Sequence, residues 1–566
     1  MTNNPWSAWF ASPRSSTPGR DSARRFARLA MIWLALVAAP RPSAGQPGRA
    51  PIDTTWRRGG VCYEIFVRSF FDSDSDGIGD FAGLTQKLDY VNDGNPRSTR
   101  SLGAKCIWLM PIAASPSYHG YDVKNYYRVN PEYGTTADFK QFVAEAHRRG
   151  IRVLVDLVLN HASSEHPYFK EALHDPASPH RSWFRFSPTP RDDKGPWGQQ
   201  LWHKSPERDE YYYGIFTHEM PDLNYENPEV RAEAARVGKF WLTEMGVDGF
   251  RLDAVPYLVE EGTTVSNTAG THAVLREFAA SVRRATPGAF TVGEVWDSIG
   301  AIVPYYPDQL DSYFSFELSD ALLDAVRTGT STKLLTSYAR MQRAMPSTRW
   351  SPFQRNHDQT RTLTALGGDR AAARLAAELL LTLPGLPFVY YGEEIGMTGD
   401  KPDPRLRTPM QWTPGRAAGF TTGAAWEPLQ PDTATANVEV ESRDSASLLV
   451  HYRRLIHLRS ENSALGGGDF LGLQSSDPAI AAFLRRDGTH VALVVANLGT
   501  TPRTGITITS ADGALPAARY TTRNLLGGDA GAALDIGAGG RISGYAPVVT
   551  LAPRRTYVFE LTRRTQ

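Results

Sequence analysis

Short apolar runs alternate along the chain with stretches in which apolar residues recur every three or four positions. Eight runs read as strands: Val61–Phe70, Cys106–Ile112, Arg152–Leu159, Val247–Leu252, Phe290–Val295, Tyr313–Leu318, Trp350–Arg355 and Leu386–Tyr391. Several are apolar at consecutive positions, as expected of strands covered on both faces. Helical periodicity separates most of them. Thr136–Arg149 places Phe139, Phe142, Val143 and Ala146 on one face, and Ser445–Arg459 does the same with Leu448, Tyr452, Leu455 and Ile456. Pro228–Met245 opens on Asn227 and Pro228, an N-cap and a first-turn residue, and Ala371–Leu383 is a fourth helix. Eight strand–helix units predict an α/β fold, a closed (β/α)8 TIM barrel formed by residues 46–161 and 226–465. Residues 162–225 lack a long periodic run and predict a small domain inserted after the third strand. In residues 466–566 the runs Val491–Asn497, Ile506–Ile508, Val548–Leu551 and Tyr557–Leu561 are separated by Gly, Asp and Pro, which predicts a C-terminal antiparallel β-sandwich.

Composition narrows the function class. Of 566 residues 41% are hydrophobic, ordinary for a globular protein, and the net charge of +1 leaves no basic footprint for nucleic acid. The charge is uneven, however. Residues 1–45 hold six arginines and one acid, and the basic segment Arg24–Arg28 precedes the uncharged run Leu29–Ala39 and the small residues Ser43-Ala44-Gly45. This order reads as a signal peptide cleaved near Gly45, and hence as a secreted or periplasmic protein. No later run reaches the ~18 apolar residues of a membrane span, so the mature form is expected to be soluble, off the membrane and monomeric. Two cysteines exclude a disulfide scaffold or Cys-rich zinc module. Cys62 and Cys106 fall on neighbouring predicted strands; export permits a bond between them, and buried thiols are the preferred reading.

Catalytic groups of such a barrel stand at the C-terminal ends of its strands. The third run ends Asp156-Leu157-Val158-Leu159-Asn160-His161, the fourth Arg251-Leu252-Asp253, the fifth Gly293-Glu294, and the seventh Asn356-His357-Asp358. A single strand-end aspartate is usually a solvated cap. Three carboxylates from three strands facing one mouth are what glycoside cleavage requires: one group protonates the leaving oxygen, another attacks or stabilises the sugar cation.

These segments resemble the characteristic motifs of the α-amylase family, glycoside hydrolase family 13. So do Tyr118-His119-Gly120-Tyr121-Asp122 after the second strand and Met220-Pro221-Asp222-Leu223-Asn224 at the end of the insert. The resemblance implies that Asp253 is the nucleophile, Glu294 the general acid and base, and Asp358 the transition-state stabiliser. It further implies that Arg251, His119, His161 and His357 bind the same sugar, with Tyr121 stacking on it. Asp122 and Arg407 resemble a pair with which α-glucosidases grip a non-reducing end, and Asp253–Leu258 resembles trehalose synthases. Met220 lies between the oligo-1,6-glucosidase and neopullulanase patterns. The substrate implied is an α-glucan or maltooligosaccharide, and the expected reaction is retaining α-1,4 hydrolysis of the α-amylase type. An α-glucosidase or a trehalose-synthase-like transglycosylase is the alternative, and a non-catalytic carbohydrate-binding protein a remote one.

Asp72, Asp74, Asp76 and Asp80 stand at positions 1, 3, 5 and 9 of an EF-hand-like loop with Gly77 at position 6. Position 12 is Gly83, so the usual bidentate glutamate is missing. Relatives carry a calcium loop after the first strand, which implies Ca2+ held by these four aspartates and the Ile78 carbonyl. A second calcium between barrel and insert is in doubt, because Val255-Pro256-Tyr257 stands where Lys-His is often found.

Overall fold

The computed structural model describes residues 51–564; the expected signal peptide lies outside them. Eight strands form one parallel sheet: β1 (Cys62–Ile65), β2 (Cys106–Leu109), β3 (Arg152–Leu157), β4 (Gly249–Leu252), β5 (Phe290–Gly293), β6 (Ser312–Phe314), β7 (Trp350–Ser351) and β8 (Phe388–Tyr390). The spatial order is 7-6-5-4-3-2-1-8, and a parallel bridge from Phe353 to Phe388 closes the ring. The principal helices are α1 (Phe81–Gln86), α2 (Thr136–Arg148), α3 (Pro228–Thr243), α4 (Ala269–Ala285), α5 (Phe316–Thr328), α6 (Thr332–Ala344), α7 (Arg370–Thr382) and α8 (Leu448–Glu461). They start where local chemistry allows. Thr135 caps α2 in a reciprocal box with Asp138, Asn227 caps α3 ahead of Pro228, and Asp369 accepts the N–H groups of Ala371 and Ala372 in the first turn of α7. Among the described residues no helix is long and apolar enough to cross a membrane.

The two-residue period of the strands sorts their side chains. Tyr63, Ile65, Ile107, Val153 and Val155 face outward under the helices, while Cys62, Cys106, Trp108, Leu154, Phe290 and Val292 fill the barrel interior. The same interior parity, carried one step further, gives Glu64, Asp156, Arg251, Asp253 and Glu294. Polar groups thus stack on an apolar plug at one end of the barrel. Gly249 begins β4 because a Cβ there would lie 1.9 Å from the Phe290 carbonyl oxygen.

Two expectations need correction. The run Tyr313–Leu318 is not one strand: β6 ends at Phe314 and α5 begins at Phe316, so Phe316 and Leu318 are buried as helical residues. Short apolar runs carry no period that separates the two states. The cysteines are not thiols. Cys62 and Cys106 are direct partners across β1 and β2, 4.3 Å apart at Cα, and form a disulfide. A sequence separation of 44 conceals that register.

Residues 162–225 form a helix, Pro167–His174, and a three-stranded antiparallel sheet of Phe186–Ser187, Tyr211–Tyr213 and Trp202–Lys204. Bridges from His161 to Asp222 and from Phe184 to Leu223 tie its ends together at the mouth. The C-terminal part is a seven-stranded antiparallel sheet with a two-stranded ribbon, Arg503–Thr504 with Thr550–Leu551. Alternate residues again separate. Ile480, Ala482, Leu484, Leu493 and Val495 build the sheet's own core, whereas Ala481, Phe483, Ala492 and Val494 join the core of the barrel.

Candidate active site

Arg251 on β4 is the centre of the barrel mouth. Its Nη1 donates to Asp253 Oδ1 at 2.7 Å and to Asp156 Oδ1 at 2.9 Å, and its Nη2 lies 2.8 Å from Glu294 Oε2. The guanidinium sits 5.1 Å from the Trp108 ring, so its apolar face is covered while its edges hold three carboxylates. One positive charge cannot balance three negative ones in a buried site, so the cluster retains a proton. Burial, only partly offset by Arg251 and reinforced by the Asp253 charge, pushes Glu294 up to about 8. Asp156 is pushed up to about 7, again by burial against Arg251. Glu294 Oε2 also accepts the Ala254 N–H at 3.3 Å, while its Oε1 has no protein partner. Ala254 adopts a left-handed conformation (φ 49°), which turns the chain sharply after Asp253.

A second group stands on the opposite side. His357 lies between Glu64 Oε1, 2.5 Å from Nδ1, and Asp358 Oδ2, 3.0 Å from Nε2. Burial disfavours its charge, but Asp358 and Glu64 outweigh burial and push it up to about 9. Asp358 also accepts from Arg407 Nη2 at 2.8 Å. Burial would raise Asp358, yet His357 and Arg407 hold it well below the usual carboxylate range. Arg407 donates its Nε to the His357 carbonyl at 3.1 Å and approaches Asp403 Oδ2 at 3.3 Å. Tyr121 stacks on the His357 ring, 5.6 Å between centroids, and places its hydroxyl 2.6 Å from His357 Nε2 and 3.2 Å from Asp156 Oδ2.

The remaining expected residues line the same mouth. His161 Nε2 lies 3.2 Å from the Tyr121 carbonyl, and His119 Nδ1 accepts the Tyr121 N–H at 3.1 Å. Burial lowers both histidines, keeping them neutral. Asp122 accepts from the Ser115 and Ser117 hydroxyls, and burial outweighs these bonds to push it up to about 6. Asp253, Glu294, Asp358 and Arg251 are therefore one connected constellation, with Tyr121, His357 and Arg407 bonded into it. Three members escaped the sequence reading. Glu64 is a lone acid inside an apolar run, Asp156 opens a segment read for its last two residues, and Asp403 opens a one-turn helix that ends just before Arg407.

Away from the mouth, Asp72, Asp74 and Asp80 each bring a carboxylate oxygen to within 4.8 Å of the others. The Asp76 carboxylate falls outside this group and accepts the Ile78 N–H at 2.8 Å. Asp72 accepts N–H groups from Ser75 and Gly77 and the Thr421 hydroxyl, which fixes the loop against residues 420–423.

Residues 64–468 match the α-amylase catalytic domain. The chain belongs to the α-amylase family. It is a glycoside hydrolase of family 13 whose substrates are carbohydrates. It is 37% identical over 448 residues to α-amylase 3 of Dictyoglomus thermophilum, covering 78% of this chain and 85% of that protein. It is 36% identical to the trehalose synthase/amylase TreS of Mycolicibacterium smegmatis, covering 82% of this chain and 88% of that protein. The crystal structure of an α-amylase from H. orenii superposes with a TM-score of 0.78 at 38% identity, covering 88% of this chain and 99% of that one. Relatives of this α-amylase-family enzyme thus include both an α-amylase and a trehalose synthase/amylase.

Proposed function

We propose that this enzyme hydrolyses α-1,4-glucosidic bonds of starch-type glucans and maltooligosaccharides with retention of configuration. The observation that carries the reading is the attachment of Asp253 and Glu294 to the two ends of one guanidinium. Two carboxyl groups held this way suit the roughly 5–5.5 Å separation of a retaining pair. Arg251 holds the Asp253 carboxylate by a 2.7 Å hydrogen bond, and Asp253 attacks the anomeric carbon and displaces the leaving oxygen. Glu294, protonated near neutrality, delivers its proton to that oxygen from the unpartnered Oε1. Its carboxylate then takes a proton from the water that cleaves the glycosyl–Asp253 ester, restoring both groups. Asp358 stays ionised and, with His357 and Arg407, meets the sugar hydroxyls.

Glu294→Gln is expected to lower kcat on soluble starch by roughly 10²–10⁴-fold. Retained hydrolysis would overturn the assignment, as would β-configured first products seen by proton NMR. The Asp253–Leu258 segment and the TreS relative favour a second reading, isomerisation or transfer on maltose. Product analysis separates the two: mixed maltooligosaccharides from starch support the first, trehalose or longer transfer products from maltose the second, and glucose alone an α-glucosidase.

The Asp72–Asp80 loop supports Ca2+ as a structural cofactor. Asp72, Asp74 and Asp80 supply converging hard oxygen ligands, and the neighbouring Asp76 is raised by burial and then by repulsion from Asp74, Asp72 and Asp80. A divalent cation there would neutralise that repulsion. Export through the signal peptide is part of the same proposal, and the Cys62–Cys106 disulfide supports it, since such bonds persist in oxidising compartments.

A further inference from the structure

We propose that Glu64 is a positioning residue that keeps His357 doubly protonated, with its Nε2–H directed at Asp358. Glu64 is the interior residue of β1, almost wholly inaccessible at 2% exposure, and its carboxylate meets the ring at 2.5 Å. It reaches sugar only through His357. The proposal rests on the site roles given above.

A neutral imidazole has one N–H and one lone pair. His357 has a carboxylate at each nitrogen, Glu64 at Nδ1 and Asp358 at Nε2. With both carboxylates ionised, a neutral ring would turn its lone pair on one of them at hydrogen-bond distance. Burial raises the Glu64 carboxyl, but the His357 charge beside it opposes that rise, and imidazolium between two carboxylates serves both nitrogens. The other groups around the ring fit the same state. Tyr121 donates its hydroxyl proton to Asp156 and so offers Nε2 a lone pair, Trp108 contributes an edge 5.6 Å away, and Arg407 occupies the His357 carbonyl. Arg251, at the centre of the mouth, is engaged with its own three carboxylates, and Tyr390 on β8 stays neutral, raised by burial. Glu64 is therefore the second anion of the sandwich, and the one that leaves Asp358 free to accept both Nε2–H and Arg407.

Glu64→Gln tests this, because it preserves shape and removes charge. In the wild type the alkaline limb of kcat/KM follows Glu294, with His357 still charged. In the variant His357 deprotonates first, so the limb moves down by about one pH unit or more, and activity just above it falls roughly tenfold relative to the variant's own acid plateau. A uniform loss at every pH, with the limb unmoved, would overturn the proposal. An independent reading comes from the wild type. In wild-type enzyme labelled at histidine Cε1, the His357 resonance, assigned by its loss in His357→Gln, should remain that of imidazolium up to pH 8. Deprotonation below pH 7 would also overturn it. Failure here leaves the roles of Asp253 and Glu294 intact, whereas an active Glu294→Gln enzyme would remove those roles.

Discussion

With three carboxylates on the Arg251 guanidinium, the mouth cannot hold every group in its charged form, and the distribution of protons decides the chemistry. Glu294, raised to about 8 chiefly by burial, keeps its proton below that value and loses it above. The kcat/KM of the wild type should therefore fall as pH rises through about 8, which a pH–rate profile on a maltooligosaccharide will check; a profile flat to pH 10 would contradict it. Asp358, held ionised far into acid, contributes no limb of its own in the usual working range. Arg251→Lys keeps a charge but cannot reach Asp156, Asp253 and Glu294 together. A loss on the order of 100-fold in kcat is expected from misplacement of the pair, with thermal unfolding measured alongside to separate it from loss of fold. At this scale the sequence was partly legible. Asp253, Glu294 and Asp358 follow apolar runs and carry family motifs. Glu64 and Asp403 do not, because their meaning lies in His357 and Arg407, 293 and 4 residues away along the chain.

Elements were legible where one period ruled. Seven of the eight strand runs contain a barrel strand and the eighth, Tyr313–Leu318, overlaps one, and four helices fall within a few residues of their expected ends. The failures occurred where a period was too short to read: at Phe314–Phe316, where strand passes to helix through one residue, Ser315. The loop after β1 shows a different kind of legibility. Its acid spacing suggested a cation, but the convergence of Asp72, Asp74 and Asp80 depends on Gly77, with φ 95° and a would-be Cβ 2.0 Å from the Ala424 carbonyl oxygen. The element is thus two strands of chain, 72–80 and 420–426, pressed together. Adding Ca2+ at about 100 times its dissociation constant should stabilise the fold by about 2.7 kcal/mol, seen as a higher Tm than in chelator. Asp74→Ala should abolish the difference. Superimposable melting curves for the untreated and chelated wild type would count against the cation.

For the whole molecule, the disulfide joins β1 and β2 at the end of the barrel away from Glu64 and Trp108. It closes a 44-residue span, so its removal in Cys62→Ala/Cys106→Ala should cost about 4 kcal/mol by the loop-closure estimate. Urea unfolding will show this as a lower midpoint, and an unchanged midpoint would refute it. The C-terminal sheet is bound to the barrel by a buried arginine. Arg485 of the sheet donates to the Thr382 carbonyl at 2.6 Å, beside the Leu381 and Leu383 carbonyls that accept from Arg459 of α8 at 2.9 and 2.8 Å. From the sheet's side, the Thr556 N–H reaches Glu378 on α7 at 2.8 Å. None of these pairings was visible in the chain, since each joins an ordinary-looking arginine or amide to a distant backbone group.

The arginine clasp grips the chain just before it enters β8, at the foot of the barrel, whereas bond breaking happens at the rim. Substitutions that reshape the rim therefore need not loosen the joint, and those that tighten the joint need not disturb the rim. A scaffold divided in this way lets a lineage exchange one sugar preference for another while its framework stays put, and it tells the protein engineer which end to leave alone.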